Sequence, residues 1–183
     1  MYYTELQQIT MSDESNHRFI DLGLSVLWLS SNLMATSSQE RGVFHALALP
    51  NELSSKGISS DNPDQQHVQQ QAWRKPTREE FEELFLCCDL YWGDYLGVMG
   101  LTAVSKVYPN RYIFLPSTGW RDLDGTIHDE DKCLYWTGEP YKYDNHFAWA
   151  FRFDEHHKQC IYKYTGYGFC IRPVLERNNI NNE

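Results

Sequence analysis

At 183 residues the chain is long enough for one domain with a sizeable core, and its 42% hydrophobic and 15% aromatic content excludes an intrinsically disordered protein. A formal net charge of −9, with no run of Lys and Arg, argues against a phosphate-tracking nucleic-acid groove and against an anionic membrane surface as partner. No window is apolar over the length of a transmembrane helix, so membrane insertion is not expected.

The first residues, MYYTELQQITMSDESNHRF, lack a basic n-region followed by an apolar h-region. As it stands the chain reads as cytoplasmic; a trimmed signal peptide would make it a surface or secreted protein. Its five cysteines are an odd number without a CxxC pair, which favours free thiols over a disulfide framework or a structural zinc site.

Residues 1–18 read as a polar lead-in, 19–175 as a single domain and 176–183 as a polar tail. Phe19 to Asn32 is apolar and rich in β-branched and aromatic residues, which predicts one or two strands bent at Gly23. Gly42 to Leu49 is a short apolar run whose length leaves strand and helix open. Pro50 to Gln71 is polar and predicts a long surface excursion, with one or two helical turns over 64–71.

The clearest helix signal is WRKPTREEFEELFLCC, from Trp73 to Cys88. Thr77 is a good N-cap, and Glu80 stands three residues on, where it completes a capping box. Phe81, Leu84, Phe85 and Cys88 fall at i, i+3, i+4 and i+7, so a helix from about Arg78 to Cys88 docks one apolar face.

Leu90 to Gly100, with its aromatic and glycine residues, predicts a packed loop leading into a strand over 101–107. Pro109-Asn110 marks a turn before a hairpin partner at 112–115, and 116–132 is a polar loop. Strands are predicted at 134–137, 146–154 and 159–164, and a last one over 169–174 stopped by Pro173. The whole reads as α+β.

Three stretches carry candidate chemistry. Asp122, Asp124 and Asp131, with Gly125 and Ile127, resemble part of a calcium loop, but Trp120 occupies the first ligand position; a solvated acidic hairpin is the preferred reading. Asp154-Glu155-His156-His157 offers metal-ligand residue types, which a turn would leave solvated. No GxSxG, HExxH or P-loop pattern is present, so no covalent chemistry is expected. Tyr141, Tyr143, Asp144, Asn145, His146 and Trp149 form a dense aromatic and polar group. It reads equally as a contact surface or as a hairpin tip over buried rings.

The order of motifs resembles the domain family named for the major paralogous proteins of Fibrobacter succinogenes, common in Bacteroidetes. The matching stretches are Asp21-Leu-Gly-Leu-Ser-Val-Leu-Trp28, Trp73-Arg-Lys-Pro-Thr77 with Glu80, Phe81 and Leu84, Gly97-Val-Met-Gly100, Ile113-Phe-Leu-Pro116 with Gly119, Tyr135-Trp136-Thr137, and Gly168 with Ile171-Arg-Pro-Val174. This family is similar to a branch of the C-type-lectin-like fold, related to the formylglycine-generating enzyme and to bacterial adhesin domains. The resemblance implies an α+β domain with a small twisted antiparallel sheet, one or two helices and long loops. It makes Trp28, Trp73, Thr77, Glu80, Trp136 and Arg172 structural, with Arg172 in a buried ion pair or bonded to backbone carbonyls. It implies a non-enzymatic binding module for a protein or glycan ligand, seated on the C-terminal loops and needing no cofactor. A variable protein of a diversity-generating retroelement is one alternative. A copper-dependent Cys-oxidising enzyme holding its metal at Cys160 and Cys170 is another. Glu139-Pro140 is followed by Tyr141, and no Trp-Asn-Asp exists, so the calcium-dependent sugar motif is not matched.

Overall fold

Strands β1 (Phe19–Ile20) and β2 (Val26–Leu29) open the described chain as an antiparallel pair, with the bend between them at Gly23, whose φ is 79°. The computed structural model describes residues 18–47 and 73–177. Helix α1 runs from Arg78 to Cys87. The Glu80 N–H donates to Thr77 Oγ1 at 3.2 Å and the Thr77 N–H donates to the Glu80 carboxylate at 2.7 Å, so the capping box is complete. Phe81 and Leu84 are buried and Phe85 is half-buried against the same core. Cys88 leaves the helix and begins a strand.

The segment 90–100 is not a loop. It lies within a hairpin of β3 (Cys88–Tyr95) and β4 (Val98–Ser105). Leu96 and Gly97 form its two-residue turn, with φ of 52° and 88°, the pair of positive angles a tight hairpin needs. The aromatic and glycine residues mask an alternation in which Asp89 and Tyr91 are exposed while Cys88, Leu90 and Trp92 are covered. Strand β5 (Tyr112–Pro116) completes this sheet, as the turn at 109–110 predicts. It approaches β4 so closely that a Cβ on Gly100 would lie 2.4 Å from the Leu115 carbonyl oxygen.

Within 116–132 a small ribbon forms from β6 (Trp120–Arg121) and β7 (Ile127–His128). The third sheet has β9 (Phe147–Phe153) between β8 (Cys133–Pro140) and β10 (Lys158–Tyr164), all antiparallel. Strand β11 (Val174–Glu176) returns to β2, so the first and last strands of the described chain share one partner.

Two other segments differ from expectation. The described part of 42–49 is neither strand nor helix. His45 makes a single bridge to Phe169, the Leu47 N–H donates to the Thr165 carbonyl, and Trp136 Nε1–H takes the His45 carbonyl. With its backbone groups divided among several separate partners, the segment builds no ladder. The last ladder begins at Val174 and not at Phe169, because Pro173 has no N–H to donate. Phe169 and Cys170 make isolated bridges instead. Glu176 and Arg177 belong to the domain: Arg177 bonds the Leu24 carbonyl and the Asp21 carboxylate. The surface excursion expected at 50–71 lies outside the described residues.

Among the described residues the architecture is therefore α+β, one short helix against small antiparallel sheets. The third sheet divides the core by simple alternation. Tyr135, Phe151 and Phe153 face the helix and the first cluster, with Trp28 and Phe81. Leu134, Trp136, Ala148 and Ala150 face a second cluster with Phe169 and Ile171. Among the described residues no helix is long and apolar enough to cross a membrane.

Candidate functional site

Alternation along β9 places Phe147, Trp149, Phe151 and Phe153 on one face, and the pairing sets Tyr164, Tyr162, Cys160 and Lys158 opposite them on β10. Helix α1 covers only half of this face. The Phe81 and Phe85 rings each lie 5.1 Å from Phe151, and Phe85 lies 5.2 Å from Phe153. The other two rows, Trp149 with Tyr162 and Phe147 with Tyr164, continue beyond the start of the helix. Tyr162 is 51% exposed and Tyr164 37%.

The connection from β8 to β9 folds back over these rows. The Tyr141 N–H donates to the Phe147 carbonyl, the Phe147 N–H donates to the Asp144 carbonyl, and the Asp144 carboxylate accepts the His146 N–H at 2.9 Å. That hydrogen bond and the His146 ring hold the Asp144 carboxyl below the usual carboxylate range. The fold-back lays the Tyr141 ring on Tyr162, 4.4 Å apart and within 12° of parallel, and sets it 5.5 Å from Trp149. Tyr143 packs edge-on against Tyr141 and is 75% exposed. Asn145 and His146 are exposed at the tip.

Arg78 marks the border between the covered and open halves. Its guanidinium lies 4.6 Å over the Trp149 ring, and both its backbone N–H and its Nε–H donate to Glu139, at 2.7 and 3.2 Å. The Glu139 carboxylate thereby holds Arg78 firmly charged and satisfies one free amide of the helix N-terminus.

Of the residues singled out from sequence, Tyr141, Tyr143 and Trp149 come together as one ring cluster, with Asp144 shaping the turn beneath them. Sequence reasoning missed Tyr162, Tyr164, Phe147, Arg78 and Glu139. A signal for two of them existed: the turn at 154–157 pairs Phe153 with Lys158, and that register alone places Tyr162 opposite Trp149.

The residues given structural roles lie in the core or at its joints. Trp28 packs edge-on to Phe81 at 5.2 Å, Trp136 stacks on Phe169 at 4.3 Å, and Trp73 packs against the second cluster. Arg172 is fully buried and bonds oxygens in place of an ion pair: Asn32 Oδ1 at 2.9 Å, the Leu29 carbonyl at 2.9 Å and the Phe114 carbonyl at 2.7 Å. Glu80 also accepts two hydrogen bonds from Arg74, which reaches on to Glu176.

Asp122 and Asp124 lie in the turn of the β6–β7 ribbon, where their carboxylates accept the backbone N–H groups of Leu123 and Thr126. Asp131 is exposed beside Lys132. Asp154 accepts the N–H groups of His156 and His157 in the β9–β10 turn, and both histidines are exposed. Among the described residues no group of three or more His, Cys, Asp or Glu forms that could hold a metal ion. Cys160 lies on the helix side of β10, its thiol pushed up to about 11 by burial, with Arg78 and Glu139 among its charged neighbours. Cys170 is buried near Arg172 and Thr118, its thiol pushed up to about 12 by burial. Set beside models of known protein families, curated proteins and solved structures, the chain matches none.

Proposed function

We propose that this chain is a non-enzymatic binding module with a C-type-lectin-like scaffold, which presents the open half of the β8–β9–β10 face to a protein or glycan ligand. The observation that carries the reading is the cluster of Tyr141, Tyr143, Phe147, Trp149, Tyr162 and Tyr164 beyond the start of helix α1, in which Tyr143, Tyr162 and Tyr164 are exposed and Tyr141, Phe147 and Trp149 half-buried. Rings of this kind bury much area for little lost side-chain entropy and keep a polar tip for hydrogen bonding. A contiguous exposed aromatic patch is uncommon on a surface with no partner. A short helix, small antiparallel sheets and irregular connections among the described residues support the scaffold reading.

The test is a comparison of the immobilised wild type with a variant carrying alanine at Tyr141, Tyr143 and Trp149, each exposed to cell and surface extracts of the source organism. The expected result is a ligand retained by wild type and lost by the variant, with matching circular dichroism spectra. Equal retention by both would move the site elsewhere.

A further inference from the structure

We infer that His45, Lys75 and Arg121 form a second binding site, which takes a phosphate group, free or as a monoester. It lies with the second core cluster, on the side of the β8–β9–β10 sheet away from helix α1. It therefore goes beyond the binding role proposed above and does not depend on it.

The backbone fixes this place. The His45 N–H donates to the Phe169 carbonyl at 2.9 Å, and the His45 carbonyl accepts the Trp136 Nε1–H at 2.8 Å and the Phe169 N–H at 3.1 Å. Gly168, next to Phe169, exchanges two backbone hydrogen bonds of 2.8 Å with Arg121. That pairing lays the Arg121 guanidinium against the Phe44–His45 peptide. Its Nη2 lies 3.5 Å from the Phe44 carbonyl, and its central carbon 5.9 Å from the Phe44 ring. Gly168 leaves the room, since a Cβ there would lie 2.9 Å from Phe44 Cβ and 3.2 Å from Arg121 Nε. Lys75 comes in beside Gly138 of β8, where a Cβ would lie 3.6 Å from its own Cβ. Burial, then the charges of Lys75 and Arg121, hold His45 below its ordinary value, so its ring is neutral at pH 7.

All three side chains lack a partner that an anion would supply. Other cations are matched, as Arg41 over the same Phe44 ring is by Glu130 at 3.8 Å. Lys75 and Arg121 meet no carboxylate among the described residues, in a chain where acidic residues outnumber Lys and Arg by 25 to 16. The Lys75 side chain is half-buried, and burial pushes its ammonium below the ordinary value. His45 Nε2 is shut off from solvent with no hydrogen-bond partner, a costly state that a ligand oxygen would end. An ammonium, a guanidinium fork and a neutral imidazole together carry two positive charges. A phosphate dianion balances both, whereas a carboxylate leaves one bare.

The test is a titration of the full-length 15N-labelled protein at pH 8 with inorganic phosphate, glucose 6-phosphate, a phosphoserine peptide or acetate, at matched ionic strength, read from backbone amide shifts. At least one of the three phosphate probes should give saturable shifts at His45, Gly138 and Gly168, and acetate should not. The tightest of the three identifies the source of the group. Lys75→Gln and Arg121→Gln should each weaken that binding at least about tenfold, as loss of a charge-assisted contact does. Lys158→Gln, which removes a cation from the helix side of the sheet, should stay close to wild type. The ligand-free spectra of the variants should overlay that of wild type away from the substituted residue. No saturable shift with any phosphate probe, equal binding of acetate, wild-type affinity in either site variant, or an equal loss in Lys158→Gln would each overturn the inference, and none of these results bears on the aromatic face.

Discussion

Arg78 lies 4.6 Å over the Trp149 ring while its own backbone N–H donates to Glu139 at 2.7 Å. One residue of the first helical turn thus joins the helix cap, the end of β8 and the open aromatic face. Replacing Glu139 with Ala frees a helix amide and releases the guanidinium from its fork. The pair is partly exposed, so the expected loss is modest, about 1 kcal/mol by urea denaturation. The same variant should change Trp149 fluorescence, since the cation above the ring loses its tether. An unchanged spectrum would mean that Arg78 keeps its place without Glu139.

Glu80 predicts a pH dependence. Burial opposes its ionisation, but the hydrogen bonds from Arg74 and from the Thr77 amide outweigh that cost and hold the carboxyl below its ordinary value of 4.5. A carboxyl depressed on folding contributes stability that is present above its unfolded value and is lost as pH falls through the folded one. Stability of wild type should therefore decline as pH drops below about 4.5. Glu80→Gln should be weaker than wild type at neutral pH and should decline less steeply in acid. Parallel curves for the two proteins would show that Glu80 is not linked to folding. Thr77→Ala, which removes the other half of the box, should cost about 1 kcal/mol at neutral pH.

Arg172 satisfies three buried oxygens from two segments, Leu29 and Asn32 at the end of β2 and Phe114 on β5. Arg172→Met keeps the bulk and strands those acceptors, at about 1–3 kcal/mol for each unsatisfied group. The domain should lose about 3 kcal/mol or more. Arg172→Lys should rescue it only in part, because an ammonium lacks the planar fork that reaches all three. A urea midpoint unchanged in Arg172→Met would contradict this role.

Gly97 and Gly100 are required for different reasons. Gly97 has a φ of 88° and open space around its missing side chain, so alanine there should cost only the backbone penalty of about 1–2 kcal/mol. A Cβ on Gly100 would lie 2.4 Å from the Leu115 carbonyl oxygen and 2.6 Å from the Phe114 ring, so alanine must push β5 away. That should cost more than the Gly97 change and loosen Phe114 and Tyr95, which pack 4.8 Å apart. Paired thermal melts of the two variants give the comparison.

The helix was legible because Thr77, Glu80, Phe81 and Leu84 all signal it within eight residues, and local signals need no knowledge of the rest of the chain. The strands over 133–164 were legible for the same reason: alternation and turn residues agree. The hairpin at 88–105 was not, since Gly93, Gly97 and Gly100 read as loop residues until the sheet shows that Gly100 makes room for a neighbouring strand. The aromatic face was half legible. Tyr141, Tyr143 and Trp149 stand close in sequence, but what keeps their rows clear of the helix is that α1 begins only at Arg78 beside Trp149, a tertiary placement that no local pattern carries.

Ligand-dependent protection of tyrosines tests the central claim most directly. The protein would be nitrated with tetranitromethane, with and without the ligand fraction that the immobilised wild type retains, and each tyrosine read by mass spectrometry. Tyr143 and Tyr162, which are 75% and 51% exposed, should be protected by ligand. Tyr91 and Tyr108, at 38% and 37% exposure on other elements, should be modified equally in both samples. Protection of Tyr91 or Tyr108, with Tyr143 and Tyr162 unchanged, would place the binding surface elsewhere and contradict the account.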